Sequence, residues 1–417
     1  MSPIVRRNAV LNGIGEGLWG LGANMILPST VLVVALKELG AGKTMLGSIS
    51  AIESASFLLP QFAGLYLFRS RHNLKWRLIW WHFLPMIPTL PIMGALLWFG
   101  PQWGWSNTAV RIVLLTLFAW YIMSIGAILG VWFDWIAHLF DKSVRGTVMG
   151  ASFCLASAMG SLGALAAAQI IATMGPPKAF AILYFCATIT ASLSLVAFMF
   201  VHDPPDTGAP PATPTIRELL AKIRHSYTHH NFRLYLSARA MAVLGFCITL
   251  LITSYYTSEA GGNVPGATVV AAGSMMTIMQ ALMNLIAGRL GDTRGHRLGQ
   301  LMAVTAQTVA LSLPLFTSGT ISCFATFGLI GLANGAAFMS HQNMLFETCP
   351  HDHRLAHITA GSLAIAPIAI GGPLIWGTVA RYSGMTPVFL GCLVASSVAL
   401  LMLFRFVRDP RHVSQSR

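Results

Sequence analysis

Gly288-Arg289-Leu290-Gly291-Asp292-Thr293-Arg294-Gly295-His296-Arg297 is a short, strongly charged stretch between two long apolar runs. The rest of the chain largely avoids charge, so this decade of residues stands out. A glycine-rich turn carrying an acid and several arginines cannot lie in hydrocarbon, where polar groups find no water. It belongs at a water-facing surface, and the runs on either side of it belong in the membrane.

The composition says the same of the whole chain. Hydrophobic residues make up 55% and charged residues 9%, against about a quarter charged in soluble domains. Mean hydropathy is +0.67. A helix needs about 20 apolar residues to cross a bilayer. Twelve runs meet that length approximately: 10–36, 44–66, 78–99, 109–133, 147–172, 179–201, 233–257, 267–288, 298–317, 320–345, 357–380 and 386–406. They are expected to be helices, because an isolated strand in lipid leaves its backbone unpaired. Little length remains for a separate soluble domain.

A formal charge of +13 suggests nucleic acid in a soluble protein. Here it reads as the excess of Lys and Arg in cytoplasmic loops. With the N-terminus inside, Arg6, Arg7, Arg69, Arg71, Lys75, Arg77, Lys142, Arg145, Arg217, Lys222, Arg224, Arg233, Arg289, Arg294, Arg297, Arg354, Arg408, Arg411 and Arg417 all fall on the cytoplasmic side. Lys37, Lys43, Arg111, Lys178 and Arg381 fall outside. Both termini are then cytoplasmic, and a multi-pass inner-membrane location is expected. The six cysteines are scattered without disulfide or zinc spacing. Asn12 and Glu16 interrupt any signal-peptide core, so no cleaved leader is expected.

The pattern G-x-L-x-D-x-x-G-x-R at 288–297 resembles the loop signature of the major facilitator superfamily of secondary transporters. The resemblance implies an all-α membrane protein, with twelve transmembrane helices in two pseudo-symmetric six-helix halves. Echoes in the chain agree: Phe200-Val201-His202-Asp203-Pro204 closes the first half and Phe406-Val407-Arg408-Asp409-Pro410 the second. The expected divisions are an N-terminal half at 1–201, a cytoplasmic linker at 202–232, and a C-terminal half with a short tail at 233–417. Within the linker, Ile216, Leu219, Leu220 and Ile223 fall at i, i+3, i+4, i+7, which predicts an amphipathic helix on the membrane surface.

In the family this loop acts as a gate latch. The resemblance places Asp292 near the cytoplasmic start of the fifth helix, where the macrodipole favours an acid. Arg145 is then its candidate partner, and Asp134 a candidate partner of Arg145. Gly288 is expected to allow close helix approach, Gly295 to permit the tight turn, and Arg294 and Arg297 to hold the loop at headgroup level. The alternative is that the basic residues are positive-inside anchors only. The matching first-half stretch, Gly64-Leu65-Tyr66-Leu67-Phe68-Arg69-Ser70-Arg71-His72, keeps the first glycine but has Phe68 in the acid's place. One latch is thus expected to lack its charge.

Ionisable groups inside the apolar runs are the sharper functional signal, because each costs at least a few kcal/mol unless paired, solvated or neutralised. Glu16 forms a stripe with Asn12 and Trp19 on the first helix, and Glu53 lies near the middle of the second. The resemblance implies that helices 1, 4, 7 and 10 line a central cavity, so Glu16 should face it and exchange a proton there. The alternative for both is a structural pair with a neighbouring helix. Arg239 on the seventh helix is a candidate for an anionic group, for neutralising a glutamate, or for snorkelling to the surface. Asn334 and His341 share a face of the tenth. Trp80, Trp81 and His82 read as interfacial residues. His225, His229 and His230, and Cys349 with His351, Asp352, His353 and His357, read as loop residues rather than metal sites.

No phosphate-binding loop, nucleophile elbow or zinc-protease spacing occurs, so no enzymatic activity, metal or cofactor is expected. The run of the fifth helix, Ala158-Met159-Gly160-Ser161-Leu162-Gly163-Ala164, lacks the Pro of the family's proton-driven drug exporters. The expected function is alternating-access transport of a small organic solute, coupled to protons. The alternative is a member of the fold that no longer transports and serves as a sensor or assembly factor. Expected partners are the solute, membrane lipid and protons, not nucleic acid, with the chain acting as a monomer.

Overall fold

The structure is a computed structural model that describes residues 2–68, 73–140, 142–203, 215–347 and 354–409. The side chains of Asp134, Arg145, Asp292 and His357 lie outside the described part, as do residues 69–72, 204–214 and 348–353. Among the described residues every regular element is helical. In chain order these are α1 (Pro3–Met25), α2 (Val33–Glu38), α3 (Lys43–Leu58), α4 (Pro60–Leu67), α5 (Leu74–Trp81), α6 (Thr89–Phe99), α7 (Asn107–Leu139), α8 (Lys142–Met174) and α9 (Lys178–Met199). They continue with α10 (Ile216–Ser226), α11 (His230–Phe246), α12 (Thr249–Tyr256), α13 (Gly266–Arg294), α14 (His296–Phe316), α15 (Gly319–Glu347), α16 (Arg354–Ser383) and α17 (Met385–Arg405).

Among the described residues, eleven helical stretches are long and apolar enough to cross a membrane. The twelfth is α3 with α4, which follow one another through Leu59. Pro60 opens α4, at the position where a missing backbone N–H costs least. The chain is therefore an all-α, multi-pass membrane protein.

The charged stretch that decided the fold is more helical than its glycines suggest. α13 runs on through Asp292 to Arg294, and the expected turn shrinks to Gly295, whose φ of +91° suits glycine. α14 begins at the next residue. Arg294, in the last turn of α13, lies where the helix macrodipole favours a cation.

The helices form two compact units. Unit 1 holds residues 1–42, 52–212 and 265–274, and unit 2 holds 43–51, 213–264 and 275–417. In unit 1, α1 packs on α8 and α9, α6 on α9, and α4 on α7. Its core is aromatic: Phe68, Trp135, Phe140 and Phe198 are buried together, with Trp81 and Trp132 against them. In unit 2, α11 packs on α16 and α17, and α14 on α15 and α17. The amphipathic α10 carries a capping box between Thr215 and Glu218. Its apolar side is only partly free for a membrane surface: Ile223 is buried in the unit 2 core and Leu220 is exposed. Tyr227 then ties the end of this segment to α16 by donating to the Ala360 carbonyl at 2.7 Å.

Each unit is closed by the same device. In unit 1, Asn8 on α1 donates to the His202 carbonyl at 2.8 Å and accepts from the His202 N–H at 2.9 Å. In unit 2, Asn231 on α11 does the same with Arg408, both bonds at 2.9 Å. A basic residue caps the last helix beside each clamp. Lys75 donates to the Met199 and Val201 carbonyls, and Arg297 to those of Leu403 and Phe404. Carbonyls at a helix C-terminus have no partner within the helix, so a cation there serves both hydrogen bonding and the dipole. The first and last helices of each unit are thereby held in register.

Helix contact in unit 1 depends on missing side chains. A Cβ at Gly20 of α1 would collide with the Ala156 backbone of α8. Gly20→Ala is expected to destabilise the protein by ~1–3 kcal/mol through overpacking, against the ~1 kcal/mol that Ala normally gains over Gly in a helix. Gly130→Ala in α7, where a Cβ meets nothing within 4 Å, should gain or stay level. Thermal unfolding of the two purified variants in detergent measures both signs.

Candidate functional site

α1 carries Asn12, Glu16 and Trp19 on one side, and unit 1 builds a small polar pocket around the first two. Asn12, Glu16, Trp132, Ile136, Met149, Ser152 and Phe153 line a cavity of about 10 Å³, room for on the order of one water molecule. Asn12 donates to the Ser152 hydroxyl at 2.7 Å, while its own side-chain oxygen is buried without a partner. Glu16 accepts from the Trp132 indole N–H at 3.4 Å. Among the described residues no basic group acts on Glu16, whose carboxylate is buried and hydrogen-bonded to Trp132. The carboxylate is thus next to a cavity and, among the described residues, is not half of an ion pair.

Trp132 is held for this contact by rings on three sides. Its centroid lies 4.7 Å from Phe198, 5.1 Å from Trp135 and 5.4 Å from His82. His82 also meets Trp19 edge-on at 5.9 Å, so the third member of the α1 stripe joins the same cluster. Trp135 donates to Asp203 at 2.9 Å, which fixes the far end of the array. His82 differs from its interfacial expectation. It is buried, with Nδ1 2.7 Å from the Leu78 carbonyl, at the start of a widened turn over His82–Met86. Adjacent Trp80 is exposed as expected, and Trp81 donates inward to the Ser124 carbonyl. Spacing alone does not separate these three residues, because the widened turn changes which face each presents.

Glu53 lies apart from this pocket. It is half-buried on α3 and has no hydrogen bond or ion pair among the described residues.

Unit 2 has a second polar group. Tyr235 and Arg239 stand one turn apart on α11, and the Tyr235 hydroxyl is 2.6 Å from His341 Nδ1 on α15. The Arg239 guanidinium interacts electrostatically with both. Its Nε is buried with no hydrogen-bond partner, and no carboxylate pairs with it among the described residues. The Nε of Arg239 is therefore inside the unit, one turn beyond Tyr235, while the residue as a whole is half-buried. Tyr235 was not singled out from the sequence, since a lone Tyr in an apolar run carries no signal until His341 is opposite it. Asn334, two turns before His341 on α15, is half-buried and makes no hydrogen bond among the described residues.

The gate residues are only partly described. Asp292, Arg145 and Asp134 are outside the described side chains, so their pairing is not on view. Gly288 has open space where a Cβ would stand, so close approach is not its role here; Gly291 is the crowded one, against His296. Arg294 is exposed, whereas Arg297 is spent on capping α17 rather than on headgroups. In the first-half counterpart, Phe68 is buried 5.5 Å from Trp81, with the Arg77 guanidinium 5.3 Å from its ring. Where the second half has an acid, the first has an aromatic fastening. Among the described residues, no three His, Cys, Asp or Glu side chains converge as metal ligands would.

A family model described as the Major Facilitator Superfamily matches residues 255–417. The fold of the whole chain is similar to solved transporters. The nucleoside transporter NupG is 14% identical, with 97% of this chain and 98% of that chain covered and a TM-score of 0.64. A point mutant of the same transporter is 12% identical with a TM-score of 0.68 over the same coverage. A bacterial homologue of the human lysosomal transporter Spinster, solved inward-facing and occupied, is 12% identical with a TM-score of 0.63, covering 100% of this chain and 98% of that one. No curated protein matches the sequence.

A buried carboxylate without a cationic partner is a cost to the fold. Glu16→Gln is therefore expected to melt no lower than the parent protein at pH 8. A fall in melting temperature of several degrees would mean that the carboxylate serves as a structural anchor instead.

Proposed function

We propose that this chain is a major facilitator protein that moves a small organic solute by alternating access, driven by protons; the family model matches its C-terminal portion and its fold is similar throughout to that of solved transporters. The halves at 1–201 and 233–417 rock about a central site, with 202–232 as the cytoplasmic linker and both termini cytoplasmic, in the inner membrane. Glu16 is the proton site. The observation that supports this is the carboxylate's position: beside a cavity, hydrogen-bonded to Trp132, and without a basic partner among the described residues. A carboxylate held this way is charged when water reaches it and neutral when it does not. Asn12 and Ser152 give the cavity the polar groups an ordered water needs. A retired scaffold gains nothing from such a residue.

The solute itself is not named by NupG or Spinster, whose likeness is one of fold. The gate reading rests on the motif: Asp292 latches the cytoplasmic side against the start of the fifth transmembrane helix at Arg145, with Asp134 nearby.

Gradient-driven uptake in proteoliposomes tests Glu16. Glu16→Gln is expected to lower uptake at least tenfold with the fold intact, and Glu16→Asp to retain part of it. Undiminished uptake with an unchanged pH profile in Glu16→Gln removes this residue from the mechanism. For the gate, Asp292→Asn is expected to change the labelling of cysteines introduced on the two membrane faces. Equal labelling in variant and parent counts against a latch.

A further inference from the structure

The two units carry opposite charges at the same register position. Glu16 lies eight residues after the clamp asparagine Asn8, and Arg239 eight residues after the clamp asparagine Asn231. In each unit a long helix further along brings a ring to this position: Trp132 on α7 donates to Glu16, and His341 on α15 is hydrogen-bonded to Tyr235, one turn before Arg239. The repeat therefore builds one kind of site twice, once acidic and once basic.

Arg239 stands nine residues into α11, about 14 Å from the start of the helix. A guanidinium at that depth is costly without a counter-charge. Unit 2 supplies none among the described residues: the groups within electrostatic range of Arg239 are Tyr235 and His341, and neither is an acid. Its Nε is buried and unbonded, yet the residue as a whole keeps accessible surface. The Tyr235–His341 hydrogen bond holds both rings in place, so the gap in the pairing is preformed.

We propose that Tyr235, Arg239 and His341 form the binding site for the carboxylate of a small organic acid, which makes the cargo an organic anion. This rests on the transporter reading and narrows it. The guanidinium offers a planar fork that a carboxylate accepts with two oxygens, and the half-buried His341 ring, held at Nδ1 by the buried Tyr235 hydroxyl, has its other nitrogen left to donate. The anion supplies the counter-charge that the unit lacks, so binding relieves a cost already present in the empty protein. A neutral solute of the same shape offers no such gain.

The test uses the purified full-length protein and three acid–amide pairs: lactate and lactamide, succinate and succinamide, benzoate and benzamide. Thermal unfolding is read with each at equal concentration. At least one acid is expected to raise the melting temperature while its amide does not. Arg239→Gln is expected to lose that shift. Arg239→Lys should need about tenfold more acid, since a point charge replaces the fork. Tyr235→Phe, a milder change at the same site, should weaken the response and covers the case where Arg239→Gln does not fold. Amides that stabilise as well as acids, acids that all fail, or a shift that survives Arg239→Gln each overturn the proposal. Stabilisation by inorganic phosphate or by phosphatidylglycerol in the micelle, and by none of the acids, also overturns it, in favour of a phosphoryl anion or a lipid headgroup. A neutral or cationic solute that stabilises the parent and is taken up by proteoliposomes sinks the anion site and leaves the transporter standing. Absence of uptake for any solute sinks the transporter itself.

Discussion

A charge that no described residue neutralises, inside an apolar bundle, is the constraint around which this account of the molecule is arranged. Hydrocarbon tolerates a carboxylate only at a cost of several kcal/mol unless something compensates it. Among the described residues the compensation at Glu16 is an indole N–H and a cavity of water size, not a lysine or arginine. The ring cluster of Trp132, Trp135, Phe198, His82 and Trp19 then follows as the shell that holds the indole in place. A structural role would be served better by a salt bridge or by leucine. On the proposed reading, Glu16 is a group whose charge changes during the cycle.

The clamps explain how such a group is kept in register. Asn8 and Asn231 each bind one residue of the chain just past the closing helix, through both its N–H and its C=O. Lys75 and Arg297 occupy the carbonyls beside them. These bonds fix the opening helix of each unit against its last helix, and Glu16 and Arg239 stand at the same distance beyond the clamp in each case. The internal repeat is thus visible in hydrogen bonds more sharply than in sequence.

The fold was legible from apolar run length and from one charged motif, because lipid forces both. The spans agree with the helices to within a few residues at most ends, but α13 extends through Arg294, since helix propensity and a favourable terminal cation outweigh Gly288 and Gly291 there. Glu16, Asn12 and Arg239 were legible as candidates because charge and amide groups are expensive where they sit. Tyr235, Ser152 and the inward turn of His82 were not, because their meaning depends on a residue far along the chain. The same holds for Asn8 and Asn231, which look like ordinary loop-proximal polar residues until His202 and Arg408 arrive beside them. The notion of Gly288 as a contact glycine came from the motif and does not match the open space around it.

The central claim is that Glu16 takes up and releases a proton through water that reaches it. The direct measurement is an infrared difference spectrum of the carboxyl band in reconstituted protein, assigned by its loss in Glu16→Gln, recorded as pH is stepped and as deuterium oxide is introduced. The account predicts a band that titrates and that shifts promptly on exchange into deuterium oxide. A band that neither titrates nor exchanges, with transport still running, would contradict it.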